Sequence, residues 1–307
     1  MKIRINEVSP RDGLQSQGKT LSVAHRLSLI QALVNAGISS VEAGSFVSPR
    51  AVPQMAGTDE LFAGLTNQGQ VRYAALVPNM KGYELAVKAG ARVVNVVLSV
   101  TETMNQKNIR MSLPQTADVC AAIVDRGRHE GIDVQAYLAV AFECPFEGPV
   151  EPSIVAQYAR LMHQAGASKI IIADTIGAAN PDHVRRLLDM VIRDVGSDIL
   201  SCHFHDTRGM ALANIATAVD RNIREFDSSI GGLGGCPFSP GATGNVATED
   251  VVLMLNSMGY DTGINPFDLI PVVHLAEQLT GLPLGGKCFP WLGRQASPNT
   301  SEIHRGR

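Results

Sequence analysis

The sequence lacks the features that mark several large classes of protein. No apolar run approaches the roughly 18 residues that a membrane-spanning helix needs, so we expect no membrane partner. Lysine and arginine number 26 against 29 aspartates and glutamates, a formal net charge of −3, and there is no basic run to suggest a nucleic-acid partner. What remains is typical of an ordinary globular enzyme of 307 residues.

Cysteine is scarce and does not form a recognisable framework. The chain has 5 cysteines, which are widely spaced and include no Cys-x-x-Cys pair. This pattern favours reduced thiols over disulfides. The first residues enter a strand-like pattern at once, without an apolar signal segment before it. We therefore expect a cytoplasmic protein.

Short β-rich runs alternate with longer amphipathic runs along the chain. Several of the helical patterns, such as 23–36, end just before a glycine, where a left-handed cap is expected. This order predicts an α/β fold, a (β/α)8 TIM barrel over residues 1–280 with a C-terminal helical extension, followed by a tail over 281–307. A doubly wound open sheet is the alternative, but no Gly-x-Gly-x-x-Gly follows the first strand. The eight strand candidates are 3–9, 40–45, 72–77, 93–99, 134–140, 169–173, 199–203 and 225–229.

Two histidines at the end of the seventh predicted strand share one face. Side chains alternate along a strand, so His203 and His205 point the same way, about 7 Å apart along the chain, while Phe204 points the other way. This spacing suits two ligands of one metal ion. The alternative is a pair of hydrogen-bonded core histidines.

Other polar residues fall at the same ends of the predicted strands. The carboxyl ends of the strands in a (β/α)8 barrel meet at one rim, where catalytic groups lie. The convergence favours a metal-containing active site over two core histidines. The residues that the sequence brings to this rim, besides the histidines, are Arg11, Asp12, Glu42, Asp174, Cys236 and Asn245.

The proposed ligands are two oxygen and two nitrogen donors. Asp12, His203, His205 and Asn245 suit an octahedral divalent ion, Mg²⁺ or Mn²⁺, better than zinc. Each has a structural alternative: Asp12 could cap a turn and Asn245 could cap a helix over 246–258. Glu42 could likewise be a buried structural carboxylate.

Two further residues suit chemistry beside the ion. Arg11 could stabilise an oxyanion or enolate on a substrate, although an exposed arginine in a turn needs no such explanation. Cys236 lies in a glycine-rich loop that could close as a lid, and its thiol could then pass a proton to or from the substrate.

Five segments together resemble the 3-hydroxy-3-methylglutaryl-CoA lyases, within a wider group of metal-dependent barrel lyases and synthases. The resemblance runs from about residue 3 to about residue 265. Arg11-Asp12 and the His-x-His pattern formed by His203 and His205 are typical of the wider group, whereas 45–49 and 231–237 point to the lyase branch. The segments are 9–15, 45–55, 174–177, 203–207 and 231–250.

The resemblance implies a retro-Claisen cleavage of an acyl-CoA substrate to acetyl-CoA and acetoacetate. It implies that Asp12, His203, His205 and Asn245 bind the metal and that Arg11 steadies the enolate. It further implies that Cys236 is the catalytic thiol, and that Glu42 and Asp174 orient Arg11 and the hydroxyl chemistry. Leucine degradation and a homo-oligomer, a dimer or larger, are implied in the same way.

The chain departs from the family pattern at positions that we expect to affect the acyl group. They are Phe204 between the histidines, the run 208–210, Gln135 where the family shows arginine, and the run 98–103. Alternatives are therefore a lyase for citramalyl-CoA or a 3-hydroxy-3-alkylglutaryl-CoA, or a Claisen-condensing synthase. A non-catalytic barrel that binds metal or CoA is disfavoured, because it would need no thiol on a mobile loop.

Overall fold

Eight parallel strands close into a barrel in the computed structural model of the chain, which describes residues 1–66, 69–235 and 244–296. The order around the barrel is β1-β10-β9-β8-β5-β4-β3-β2, and a separate antiparallel hairpin is formed by β6 and β7. The strands are β1 Arg4–Glu7, β2 Ser40–Ser45, β3 Arg72–Leu76, β4 Val93–Ser99, β5 Asp133–Ala139, β6 Glu143–Cys144, β7 Gly148–Pro149, β8 Lys169–Asp174, β9 Leu200–Phe204 and β10 Glu225–Ser228.

Helices fill the connections between the strands and continue beyond the last one. Most connections carry one helix, so each strand returns parallel to its neighbour, as a (β/α)8 barrel requires. The helices are α1 Val23–Asn35, α2 Thr58–Gly64, α3 Met80–Lys88, α4 Glu102–Ile109, α5 Leu113–Glu130, α6 Pro152–Ala165, α7 Pro181–Val195, α8 Ala211–Val219, α9 Thr248–Ser257, α10 Ile270–Thr280 and α11 Phe289–Ala296.

The hydrophobic core lies between the strands and the surrounding helices. On β4, for example, Val94, Val96 and Leu98 belong to this core, while the intervening Asn95 is buried and hydrogen-bonds to an acidic side chain of β2. A small apolar cluster of Tyr137, Ile171 and Ala173 is separate from the main core. The period of two along each strand thus divides an apolar outer layer from an inner layer rich in polar groups.

The predicted (β/α)8 barrel is confirmed, and its closure rules out the open doubly wound sheet. Each of the eight predicted strands agrees with an observed one to within two residues at either end. Helices α2, α4 and α11 and the hairpin β6–β7 were not predicted from the sequence. These elements are short, and their apolar periodicity spans too few residues to stand out.

The segment that follows α10 is bound to the barrel through buried carboxylates. The backbone N–H of Gly286 donates to Glu249 at 2.6 Å, and those of Lys287 and Cys288 donate to Asp250 at 2.8 Å each. The predicted division of the chain after residue 280 stays a prediction. Among the described helices, none combines the length and the apolar character needed to cross a membrane.

Candidate active site

A tight turn directly after β1 presents Arg11 and Asp12 at the carboxyl end of the barrel. In this turn, Ser9–Gly13, the carbonyl of Val8 accepts the backbone N–H groups of Arg11 at 3.1 Å and of Asp12 at 2.8 Å. A side chain at Gly13 would meet the Leu233 carbonyl oxygen at 3.0 Å, so the turn lies against the loop that follows β10. The backbone therefore holds both side chains in place.

Arg11 is a buried residue, only 5% exposed, and this corrects the alternative of an exposed arginine on a turn. Its Nε and Nη2 both lie 2.5 Å from Oε2 of Glu42, and its Nη1 lies 2.6 Å from Oδ1 of Asp12. The other oxygen of Glu42 accepts the amide of Asn95 at 2.7 Å. Each end of the Arg11 guanidinium is thus paired with a carboxylate, which fixes its direction.

Asp12, His203 and His205 converge on one point. One ligand atom of each lies within 4.8 Å of the ligand atoms of the other two. The imidazole rings of His203 and His205 are 5.1 Å apart between centroids, and Nε2 of His205 is 3.9 Å from Oδ2 of Asp12. The alternation along β9 therefore places both histidines beside the turn that follows β1.

The contacts of these residues favour an ion over two satisfied core histidines. Nδ1 of His205 is buried and has no hydrogen-bond partner among the residues that the structure describes. A buried polar atom without a partner is costly, and here it belongs to a cluster of imidazole and carboxylate donors. This donor set suits a divalent ion. The residues present therefore fit the metal that the sequence implies.

The pKa values of the three groups follow from burial and from one another. Burial raises the pKa of Asp12, but Arg11 and the two histidines outweigh it and lower that pKa to about 2. Burial and the neighbouring His203 lower the pKa of His205 to about 4. Burial also opposes charge on His203, but its hydrogen bond to Asp227 raises the pKa above the usual value. An ionised carboxylate beside a neutral imidazole is the state that binds a cation.

A second set of residues supports His203, and the sequence reading missed it. Oδ2 of Asp227 on β10 lies 3.0 Å from Nδ1 of His203 and accepts the hydroxyl of Tyr137 at 2.6 Å. Its Oδ1 accepts the amide of Asn6 at 2.9 Å. A carboxylate on the imidazole nitrogen away from the ion is the usual support of a metal-binding histidine. The sequence offered one indication of this role: alternation along the strand puts Asp227 on the face opposite to the apolar Phe226.

Asn245 lies at the same point and does not cap a helix. Its amide donates to Oδ2 of Asp12 at 2.8 Å, and its backbone pairs with His205 as an isolated bridge. Helix α9 begins at Thr248 with Ala247 as its N-cap, so the capping alternative for Asn245 was wrong. Asp12 likewise contacts side chains here, those of Arg11, Gln15 and Asn245.

Asp174 lies among the described residues, whereas Cys236 does not. Both carboxylate oxygens of Asp174 accept backbone N–H groups, from Ala178 at 2.8 Å and from Ala179 at 3.0 Å, and burial raises its pKa to about 6. Its described hydrogen bonds organise the loop before α7, so its part in the chemistry stays a prediction. Residues 236–243, which include Cys236, lie outside the described part of the chain, and the catalytic thiol stays a prediction as well.

Two of the departures from the family pattern do not face the ligand cluster. Phe204 is buried on the outer side of β9, where its ring centroid lies 6.2 Å from that of Phe142, and our expectation that it affects the acyl group stays a prediction. Gln135 is buried, and its side chain contacts those of Asn95 and Arg72. Arg208, by contrast, is exposed and pairs with Glu143 of the hairpin at 3.0 Å.

Comparison with known proteins gives one consistent family. The HMGL-like family profile matches residues 2–275. The hydroxymethylglutaryl-CoA lyase of Pseudomonas mevalonii is 44% identical over 263 residues, 86% of this chain and 87% of that protein. A 3-hydroxy-3-isohexenylglutaryl-CoA/hydroxymethylglutaryl-CoA lyase of Pseudomonas aeruginosa is 42% identical over 269 residues, 88% and 90% of the two chains.

A solved structure extends the comparison to three dimensions. The structure of an HMG-CoA lyase from Acinetobacter baumannii, in complex with coenzyme A and 3-methylmalate, superposes with a TM-score of 0.90. It is 37% identical in sequence and covers 98% of this chain and 96% of its own. Similarity in sequence and in structure thus extends over nearly the whole barrel.

Proposed function

The chain belongs to the HMGL-like family, and on that premise we propose that it is a hydroxymethylglutaryl-CoA lyase. The reaction is the metal-dependent cleavage of 3-hydroxy-3-methylglutaryl-CoA into acetyl-CoA and acetoacetate. The observation that carries this proposal is the convergence of Asp12, His203 and His205 on one point, with the guanidinium of Arg11 2.6 Å from Asp12. A carbon–carbon lyase of this type needs a cation at the substrate oxygens, and the donor atoms of this cluster are suited to hold one.

The reaction requires that charge move from the hydroxyl group to the thioester. A base takes the proton of the 3-hydroxyl, the oxygen forms a carbonyl, and the bond between C2 and C3 breaks. The electron pair of that bond enters the thioester as an enolate, which is then protonated at carbon. A bound divalent ion would supply a Lewis acid for the substrate oxygens. The residues that would hold it are Asp12, His203, His205 and Asn245.

Arg11 is the group that we assign to the enolate. Its guanidinium is buried, and two carboxylates fix its direction before any substrate arrives. A cation held in this way stabilises developing negative charge without reorganising during the reaction. Glu42 supports Arg11, because its Oε2 contacts both Nε and Nη2 and so orients the guanidinium.

Protonation of the enolate carbon needs an acid near the ion. We assign this step to Cys236, on the glycine-rich loop that follows β10, because a thiol on a closing loop would reach the substrate only after it binds. Asp174 is proposed to order the neighbouring loop through Ala178 and Ala179, with an indirect effect on the hydroxyl chemistry.

A longer 3-hydroxy-3-alkylglutaryl-CoA is the second candidate substrate. The Pseudomonas aeruginosa relative is named for both the isohexenyl and the methyl compound and is 42% identical to this chain. The small apolar cluster of Tyr137, Ile171 and Ala173, with Val97 packed against it, could contact an alkyl group. Relative kcat/KM on the two thioesters separates the candidates.

Several narrower proposals go beyond the site itself. The donor set supports Mg²⁺ or Mn²⁺, and the widely spaced cysteines support a cytoplasmic location. A role in leucine degradation and a homo-oligomeric state rest on the resemblance alone. Light scattering coupled to size-exclusion chromatography measures the oligomer directly, and a monomer at micromolar concentration would overturn that proposal.

The experiment that tests the proposed function is a substrate panel. Purified protein with Mn²⁺ and dithiothreitol is assayed for acetyl-CoA release from the methyl compound and from the isohexenyl compound, and for breakdown of citramalyl-CoA. We expect the highest kcat/KM on 3-hydroxy-3-methylglutaryl-CoA. Turnover of citramalyl-CoA alone would replace the proposed substrate.

A further inference from the structure

The centre of the barrel contains buried polar groups where such barrels usually hold aliphatic ones. Barrel interiors of this type are filled mostly by Val, Ile and Leu. Here Glu42 and Asn95 are 0% exposed and Gln135 is 4% exposed. Buried amides and carboxylates cost free energy unless each is hydrogen-bonded, so their presence calls for a specific set of partners.

These residues form one hydrogen-bonded chain across four neighbouring strands, β2 to β5. Nη1 and Nη2 of Arg72 lie 2.7 Å and 2.6 Å from one terminal atom of the Gln135 side chain, which we assign as the amide oxygen because a guanidinium can only donate. The amide nitrogen of Gln135 then donates to Oδ1 of Asn95 at 3.0 Å. The amide of Asn95 donates in turn to Oε1 of Glu42 at 2.7 Å.

Every hydrogen bond in the chain points the same way. Each donor is polarised by the donor before it, and the series starts at a cation and ends at a carboxylate, so the bonds reinforce one another. Oε2 of Glu42 consequently accepts a hydrogen bond from Arg11, and Oε1 accepts the last hydrogen bond of the series, from Asn95. Each side-chain oxygen of Gln135 and Asn95 in the series already accepts a hydrogen bond.

Arg72, the first donor of this hydrogen-bonded series, is held by ion pairs at the opposite end of the barrel. Arg72 pairs with Asp133, and its Nη1 lies 3.7 Å from Glu225. Glu225 also binds Lys169 at 3.1 Å and Arg4 at 3.2 Å. Ion pairs at the amino ends of the strands therefore hold Arg72 in place, and the chain extends from this layer to the active-site rim.

We propose that Asn95 and Gln135 are positioning residues of the active site, which hold Glu42 and thereby aim the Arg11 guanidinium at the substrate. This inference rests on the proposed function, because it concerns the same arginine. It assigns a role to two residues that contact neither the metal ligands nor the expected substrate. Arg72 supplies the positive charge at which this series of hydrogen bonds begins.

The first test is Asn95→Leu, which keeps the approximate volume and removes the amide. We expect kcat for the methyl substrate to fall by about 10- to 100-fold, as for other residues that support an active-site group. We expect KM and the dissociation constant for Mn²⁺ to change less than about threefold. Gln135→Met should give a smaller loss of the same kind, because the hydrogen bonds that it removes are one residue further from Glu42 than those of Asn95.

The matched control is Ser201→Ala. Ser201 is buried on β9, two residues before His203, and its hydroxyl has no partner among the described residues. Its removal should leave kcat unchanged. Equal losses of kcat in Ser201→Ala and Asn95→Leu would mean that any change in the barrel interior slows the enzyme, which would overturn the proposal.

A double-mutant cycle with Glu42→Gln separates positioning from general destabilisation. If Asn95 acts through Glu42, then Asn95→Leu should change kcat by less than about twofold once Glu42 is already replaced. The same fold loss in both backgrounds would contradict the proposal.

Crystal structures provide a readout that does not need activity. In Asn95→Leu we expect the Glu42 carboxylate to rotate and Arg11 to leave its present position. Retention of the Arg11–Glu42 contact together with wild-type kcat would overturn the inference. Inactivity of the wild-type enzyme on the panel would count against the proposed function instead, while the crystal structures would still test the positioning.

Discussion

Nδ1 of His203 lies 3.0 Å from Oδ2 of Asp227, on the neighbouring strand β10. This contact occupies one imidazole nitrogen and leaves Nε2 for the cluster formed with Asp12 and His205. The hydroxyl of Tyr137 and the amide of Asn6 hold the same carboxylate from other sides. The orientation of this proposed metal ligand is thus set by side chains from β1, β5 and β10, none of which is itself a proposed ligand.

The first prediction concerns this support. In Asp227→Asn, one carboxylate oxygen becomes an NH₂ group that cannot accept the hydrogen bonds of its neighbours. We expect the affinity for Mn²⁺, measured by isothermal titration calorimetry, to fall by about 10- to 100-fold. Tyr137→Phe, which keeps the carboxylate, should have a smaller effect. An unchanged dissociation constant in Asp227→Asn would show that the contact does not orient the ligand.

The second prediction concerns the ligands themselves. The double variant His203→Ala, His205→Ala should lose stoichiometric Mn²⁺ binding while its circular dichroism spectrum is retained. A matched control is His129→Ala, His163→Ala, since both of these histidines are exposed and lie outside the cluster. Retention of one ion per chain in the first variant would refute the ligand assignment.

The third prediction concerns the thiol on the loop. Cys236→Ala should lower kcat by about 100-fold or more, because an acid that protonates carbon in the transition state contributes on that scale. Metal affinity and thermal stability should stay at their wild-type values. Cys288→Ala, in the segment after α10, is the control and should leave kcat unchanged. Wild-type kinetics in Cys236→Ala would remove the thiol from the mechanism.

The strands and the histidine pair could be predicted from the sequence because both depend on local periodicity. Alternation along β9 was enough to place His203 and His205 on one face. The partners across the barrel could not be predicted. Alternation gives the face of Asn95 or Asp227, but which side chains meet there depends on the register of several strands. For the same reason Arg11 could be read as exposed, since its burial depends on Glu42 from another strand.

The fourth prediction concerns pH and the segment that follows α10. Glu249 is buried and accepts the backbone N–H groups of Gly286 and Gly231, and burial raises its pKa from 4.5 to about 7. Between pH 4.5 and about 7 the carboxyl group of Glu249 is therefore protonated in the folded protein and ionised in the unfolded chain. It follows that this group stabilises the fold at acidic pH, and that the contribution is lost as the pH rises from about 4.5 to 7.

Glu249→Gln removes this titration. Between the two pH limits, the free energy of unfolding of the wild type should fall relative to that of the variant, by up to about 3 kcal/mol. Urea unfolding at a series of pH values measures the difference, and the other buried carboxylates cancel because both proteins contain them. A constant difference across this range would contradict the raised pKa.

The most direct test of the proposed activity is a metal titration of the cleavage reaction. Protein freed of metal with a chelator is supplied with increasing Mn²⁺, and acetyl-CoA release from 3-hydroxy-3-methylglutaryl-CoA is measured at each step. We predict no turnover without the ion and a plateau at one ion per chain, with Asp12→Ala inactive throughout. Full turnover by the metal-free protein, or wild-type turnover by Asp12→Ala, would contradict the assignment of the active site.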